Sequence, residues 1–129
     1  MQTDGKAKRY NAGKPRFDLI PLQALVNAAK VFEFGEGKYG RNNWTRGMEW
    51  SKMIASLVRH IAAFQAGEDM DMESGHSHVG AILCNAIMLS WYFDNFKAGD
   101  DRMKKQNDEV WTSSDLFYKL WENKEPEHE

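Results

Sequence analysis

The chain has 129 residues and one cysteine, Cys84. A disulfide framework within the chain is therefore excluded, and the position of Cys84 in an apolar helical run predicts a buried, reduced thiol. No apolar run approaches the roughly 20 residues of a membrane span, and the opening MQTDGKAKRYNAGK has no apolar centre for a signal peptide. A soluble cytoplasmic protein is expected. Charge of one sign is also missing: 17 basic against 19 acidic residues leave a formal charge of -2, which gives no overall field for nucleic acid or a membrane surface. There is no internal repeat and no low-complexity block. Three familiar motifs fail on inspection. Gly13-Lys14 is followed by Pro15 where a phosphate loop needs a hydroxyl. Asp69-x-Asp71-x-Glu73 opens like a calcium loop, but its glycine falls at Gly75, one place late, and Gly80 stands where a bidentate glutamate is required. No adjacent His-Asp pair exists to support a His-Asp phosphohydrolase.

With 42% hydrophobic residues the chain is long enough for one domain with a proper core. The periodicity is helical throughout. Leu22, Leu25, Val26, Ala29 and Phe32 follow Pro21 at helical spacing, and Gly35, Gly37 and Gly40 are expected to end that first helix, each costing about 1 kcal/mol relative to alanine. Met53, Ile54, Leu57, Val58, Ile61 and Phe64 mark a second helix over Trp50 to Ala66, with Ser51 as its N-cap. Val79, Ile82, Leu83, Ala86, Leu89, Phe93 and Phe96 mark a third over His78 to Lys97. The loop from Gly67 to Ser77 is short enough that the second and third helices should form an antiparallel pair. Ser113 or Ser114 can cap a last helix containing Leu116, Phe117, Leu120 and Trp121. The expectation is an all-α, single-domain bundle of about four helices: an arm over 1–20, a core over 21–97 and a C-terminal helix over 108–122.

The stretch Arg59 to Asn85 reads as the functional centre, because four carboxylates (Glu68, Asp69, Asp71, Glu73) and three histidines (His60, His76, His78) converge where two helices meet. Carboxylates so close repel one another, and a cation, from a basic side chain or a divalent metal, lowers that cost; a solvated acidic turn is the alternative. His78 and Asn85 are seven apart on one helical face, with Ala81 between them leaving room for a ligand, and Asn85 within an apolar run needs hydrogen-bond partners. His76, at the helix entrance, is expected to be exposed. Glu33 and Glu36 share a helix face and can hold one hard cation or form a solvated last turn. Lys14 and Arg16 can meet a polyphosphate or lie in a solvated tail. Asn43 and Trp44 suit stacking on, and hydrogen bonding to, a planar base, whereas Trp50 suits a core cap.

Asn11-x-Gly13-Lys14-Pro15-Arg16-Phe17-Asp18-Leu19-Ile20-Pro21, Lys38-Tyr39-Gly40, Asn43-Trp44, Arg59-His60 and Gly67-Glu68-Asp69-x-Asp71-x-Glu73-Ser74-Gly75, followed by His78 and Asn85, together resemble the phage dATP/dGTP diphosphohydrolase family in order and over about Asn11 to Leu89. That family is similar in fold to the all-α MazG-type pyrophosphatases, although the MazG string Glu-Glu-x-x-Glu is absent from this chain. The resemblance implies hydrolysis of a purine deoxynucleoside triphosphate to monophosphate and pyrophosphate, with Mg²⁺ or Mn²⁺ as cofactor. It implies Glu68 and Asp71 as primary metal and catalytic carboxylates, Glu33, Glu36 and His78 as further metal ligands, and His60 as a catalytic or orienting residue. Lys14, Arg16, Lys38 and Arg59 are then the phosphate cations, and Asn43, Trp44 and Asn85 the base contacts. A homo-oligomer, dimer or tetramer, is expected both from the family and from Trp44, Trp50, Trp91, Trp111 and Trp121, which offer more aromatic surface than a small bundle buries. The alternative is a helical module that binds a nucleotide or protein without chemistry.

Overall fold

The computed structural model describes residues 5–10, 12–103 and 112–113. Three α-helices are found there, α1 Val26–Tyr39, α2 Trp50–Gln65 and α3 His78–Asn95, with short 3-10 turns at Phe17–Leu19, Leu22–Leu25, Asn43–Arg46 and Lys97–Gly99. The described part is all-α, with three helices rather than about four; the segment expected as a fourth, 108–122, lies outside the described residues apart from Thr112 and Ser113.

Pro21 opens the Leu22–Leu25 turn that runs into α1. That helix continues through Gly35 and Gly37 and stops only at Gly40, whose φ of 93° ends the helical path where a side chain would be strained. The expected end at the glycines is thus met at the last of the three, and Gly35 and Gly37 stay within the helix because packing of the Ala28 and Phe32 face on its neighbours outweighs their weak propensity. Ser51 is not the cap of α2 either, because the helix already begins at Trp50. Asp101 caps that end from a distance: its carboxylate accepts from the Ser51 amide at 2.9 Å and from the Ser51 hydroxyl at 2.5 Å. At α3 the N-cap is Ser77, whose hydroxyl accepts from the Gly80 amide at 3.0 Å.

The third helix is the centre of the molecule, with α1 on one side and α2 on the other. At Gly80 the backbone of α1 comes so close that an added Cβ would lie 2.5 Å from the Asn27 carbonyl oxygen. The core sits toward the other end of α3. Tyr92 is completely buried and donates to the Trp44 carbonyl at 2.6 Å, while Trp50 and Met53 pack against it with Trp44, Met48, Met88, Leu89, Trp91 and Phe96 around them. The Trp50 indole donates to the Phe96 carbonyl at 3.0 Å, which makes it a core cap as expected. Much apolar surface stays outside this core, including Ile54, Val58, Ile61 and Phe64 on α2 and Phe17, Leu19, Ile20 and Leu22 before α1.

Candidate functional site: a groove and a histidine pair along the third helix

Because α1 and α2 each lean on α3 rather than on each other, a gap runs between them. It forms a groove of about 680 Å³, a size suited to a nucleotide-sized ligand. From α3 it takes Cys84, Asn85 and Met88, from α1 the residues 31–36 with Tyr39, and from α2 Lys52, Met53 and Ser56, while 40–44 and Met48 close the end nearest the core. Of the site residues expected from the sequence, Glu33, Glu36, Asn43, Trp44 and Asn85 line this one groove.

Their environments differ. Trp44 is half-buried, edge-on to Trp91 at 5.2 Å and tilted against Phe32 at 6.1 Å, so one side of its ring system serves the core while it also borders the groove. Asn85 donates through its amide nitrogen to the Ala81 carbonyl at 2.9 Å and the Ser56 hydroxyl at 3.2 Å. Both bonds use the nitrogen, so the carboxamide oxygen is an acceptor beside the groove. Cys84 is buried, and burial pushes its thiol up to about 11, so it remains protonated and unreactive at neutral pH.

The expected phosphate cations do not line the groove. Arg16 is held by Asp18 in a two-pronged pair at 2.7 Å, and Lys14 is exposed. Lys38 lies over the Tyr39 ring at 5.2 Å, and Arg59 is exposed on α2. The cations that do line it are Arg41 and Lys52, the latter 3.4 Å from Glu49. Sequence reasoning missed both; the only available signal was that Arg41 sits beside the Asn43-Trp44 pair and Lys52 one turn before Ser56 on the helix facing Asn85.

A second cluster lies at the N-terminal end of α3, under the acidic turn. There the chain reverses through an isolated bridge between Met70 and Ser77, with the His78 amide donating to the Asp69 carbonyl at 2.9 Å and the Asp71 amide to that of His76 at 2.8 Å. Asp71 helps to build the turn itself: its carboxylate accepts from the Glu73 amide at 3.1 Å and the Ser74 hydroxyl at 3.2 Å. His76 is half-buried and edge-on to Phe34 at 5.4 Å, not exposed as expected. His60 of α2 and His78 of α3 meet with their Nδ1 atoms 2.9 Å apart. Burial holds His60 below the ordinary imidazole range, against the opposing pull of Asp71. His78 is 5% exposed; its Nε2 has no hydrogen-bond partner, and Glu68 Oε2 stands 3.5 Å away without hydrogen-bond geometry.

No three His, Cys, Asp or Glu side chains are grouped at metal-binding separation among the described residues. The expected ligands are divided between the groove (Glu33, Glu36) and the turn (Glu68, Asp71, His78). Within the turn the fit to a divalent cation is specific to one pair, His78 with Glu68, because an orphaned buried nitrogen faces a carboxylate there. Each oxygen of Asp71 already accepts one hydrogen bond within the turn.

Residues 4–102 match the family model described as dATP/dGTP diphosphohydrolase, N-terminal. A dATP/dGTP diphosphohydrolase of Salmonella phage PMBT28 is 29% identical over 94 residues, which is 73% of this chain and 32% of that relative. The chain therefore spans about a third of the length of the curated relative it matches. No solved structure matches it. The family model covers both the groove and the histidine pair, and the chain belongs to the dATP/dGTP diphosphohydrolase N-terminal domain family.

Proposed function

We propose that this protein is a metal-dependent pyrophosphohydrolase that converts a purine deoxynucleoside triphosphate, dATP or dGTP, to the monophosphate and pyrophosphate. The observation that carries the reading is the groove: an aromatic and amide rim (Asn43, Trp44, Asn85) and opposed charges (Arg41 and Lys52 against Glu33 and Glu36) line one cavity, in a domain of this family. In this reading Trp44 and Asn43 meet the base, and the Asn85 oxygen accepts an N–H of a purine. Arg41 and Lys52 join Lys14, Arg16, Lys38 and Arg59 as phosphate cations and have the advantage of position. The carboxylates Glu33, Glu36, Glu68 and Asp71, with His78, are the ligand set from which the metal site is drawn, and His60 orients His78. When bound, Mg²⁺ or Mn²⁺ supplies charge neutralisation of the phosphate chain and a more acidic water.

The test is incubation with each dNTP and NTP, with Mg²⁺ or Mn²⁺ and with chelator, following the products by chromatography. Metal-dependent formation of monophosphate and pyrophosphate from dATP or dGTP is expected; absence of turnover with every nucleotide would remove the enzymatic reading. Replacing Glu68 by alanine should abolish turnover while the circular dichroism of the helices is kept. A second reading is favoured by one observation, that the string Glu-Glu-x-x-Glu of the MazG-type enzymes does not occur in this sequence: a module that binds a nucleotide without cleaving it. Such a module keeps its nucleotide in chelator and shows no turnover with any metal.

The same reading takes the protein as a homo-oligomer. Its support has moved from the tryptophans to aliphatic side chains. Trp50 is buried and Trp44 and Trp91 are half-buried within the chain, and Trp111 and Trp121 lie outside the described residues. On α2, however, Val58 is 58% and Ile61 49% exposed beside Ile54.

A further inference from the structure

The two facing Nδ1 atoms of His60 and His78 are 2.9 Å apart, and two imidazoles in that arrangement share a single proton: one donates and the other accepts. For two neutral rings the choice fixes the far nitrogen of each. If His78 carries its proton on Nε2, that N–H is buried with no acceptor in hydrogen-bond geometry. If His78 carries it on Nδ1 and donates to His60, then Nε2 presents a bare lone pair toward Glu68 Oε2, 3.5 Å away. A lone pair and a carboxylate oxygen at that spacing repel each other unless a cation lies between them. The span matches two ligands on one divalent ion with bonds of about 2.1 Å. Glu68 reaches this point from solvent, its side chain 64% exposed, whereas the side chain of His78 is only 6% exposed.

We propose that His78 Nε2 and the Glu68 carboxylate form a two-ligand seat for a divalent transition-metal ion of the Mn²⁺ type, and that His60 is the positioning residue that fixes the His78 tautomer by accepting its Nδ1–H. The proposal deepens, and rests on, the metal-dependent reading above. It narrows the ligand set to one pair. It also separates the two expected cofactors: Mg²⁺ prefers an all-oxygen shell and gains little from His78, whereas Mn²⁺, though the weakest binder of the first-row transition ions, takes a mixed nitrogen and oxygen pair. The role of His60 is then to keep Nε2 free of a proton, the service that an outer hydrogen-bond partner gives a metal-bound histidine.

The experiment measures Mn²⁺ binding to the full chain without nucleotide, by calorimetry and by loss of the free-ion electron paramagnetic resonance signal, alongside ¹⁵N NMR of the imidazoles. In the wild type one Mn²⁺ should bind, at least tenfold tighter than Mg²⁺, with His78 protonated at Nδ1. Glu68→Gln, on an exposed side chain that leaves the fold intact, and His78→Ala should each weaken Mn²⁺ binding by tenfold or more. His60→Ala should weaken it about 10- to 100-fold. His60→Gln, which retains an acceptor for the Nδ1–H, should restore most of that loss. Unchanged Mn²⁺ affinity in Glu68→Gln, or a His78 proton on Nε2 both with and without metal, overturns the proposal. If turnover needs metal while these variants bind Mn²⁺ normally, the seat is wrong and the enzymatic reading stands. If Mn²⁺ binds at His78 in a protein that cleaves no nucleotide, the seat stands and the enzymatic reading falls.

Discussion

Gly80 and Gly37 are both helical glycines, and their surroundings predict opposite outcomes for the same substitution. At Gly80 an alanine methyl would lie 2.5 Å from the Asn27 carbonyl oxygen, a backbone atom that cannot turn aside. Gly80→Ala should therefore cost about 1–3 kcal/mol by pushing α1 off α3. At Gly37 nothing lies within 4 Å of the added carbon, and Gly37→Ala should stabilise by about 0.5–1 kcal/mol through helix propensity. Chemical denaturation of the two variants checks both signs. Asn85 belongs to the same scale. Its carboxamide oxygen is the acceptor assigned to a purine N–H, and Asn85→Ala should weaken nucleotide binding by about three- to tenfold, the worth of one neutral hydrogen bond. Equal affinity measured by calorimetry for variant and wild type would remove Asn85 from the base site. That Asn85 faces a polar partner was legible, because an amide within Ile-Leu-Cys-Asn-Ala-Ile demands one. That Arg41 and Lys52 border the groove was not, because local sequence says nothing about which side of a gap between two helices a loop will close.

Among the elements, α2 shows how a helix end can depend on a residue fifty positions away. Ser51 follows Trp50 and looks like the cap, but Asp101 receives both its amide and its hydroxyl. These two bonds hold the Asp101 carboxyl below the ordinary carboxylate range. The sign follows directly: the contribution is fully present above the unfolded value near pH 4 and is lost as pH falls through the lower folded value. Asp101→Asn should lower the melting temperature at pH 7 and flatten its decline below about pH 4; a parallel decline in variant and wild type would mean that Asp101 adds nothing to the helix. The extent of α3 was legible to within two residues, His78 to Lys97 against His78 to Asn95, because its apolar periodicity is unbroken. That His60 and His78 lie at the same end of the helix pair followed from the short loop, which makes α2 and α3 antiparallel, whereas their direct contact did not. The end of α1 was legible as one of three glycines but not as Gly40 in particular, because Gly35 and Gly37 act on a local scale and packing against α3 acts on a larger one.

For the whole molecule the unburied aliphatic surface leads to a prediction about assembly. Ile54, Val58 and Ile61 are three and four apart on α2, on one exposed side, while Met53 and His60 of the same helix face inward. Sedimentation should find a dimer or tetramer, and Val58→Asp should shift it toward the monomer without loss of helicity. A wild-type monomer at all concentrations would dismiss the assembly. The three-helix arrangement has one more consequence. Since α1 and α2 meet mainly through α3 and the 40–49 connection, their separation at the far end of the groove has few direct contacts to hold it. A molecule that touches Glu33 or Glu36 on one side and Lys52 or Ser56 on the other becomes a strut across the fold, so occupancy should be readable as stiffening: slower amide exchange along α1 and α2, with the interior of α3 hardly altered.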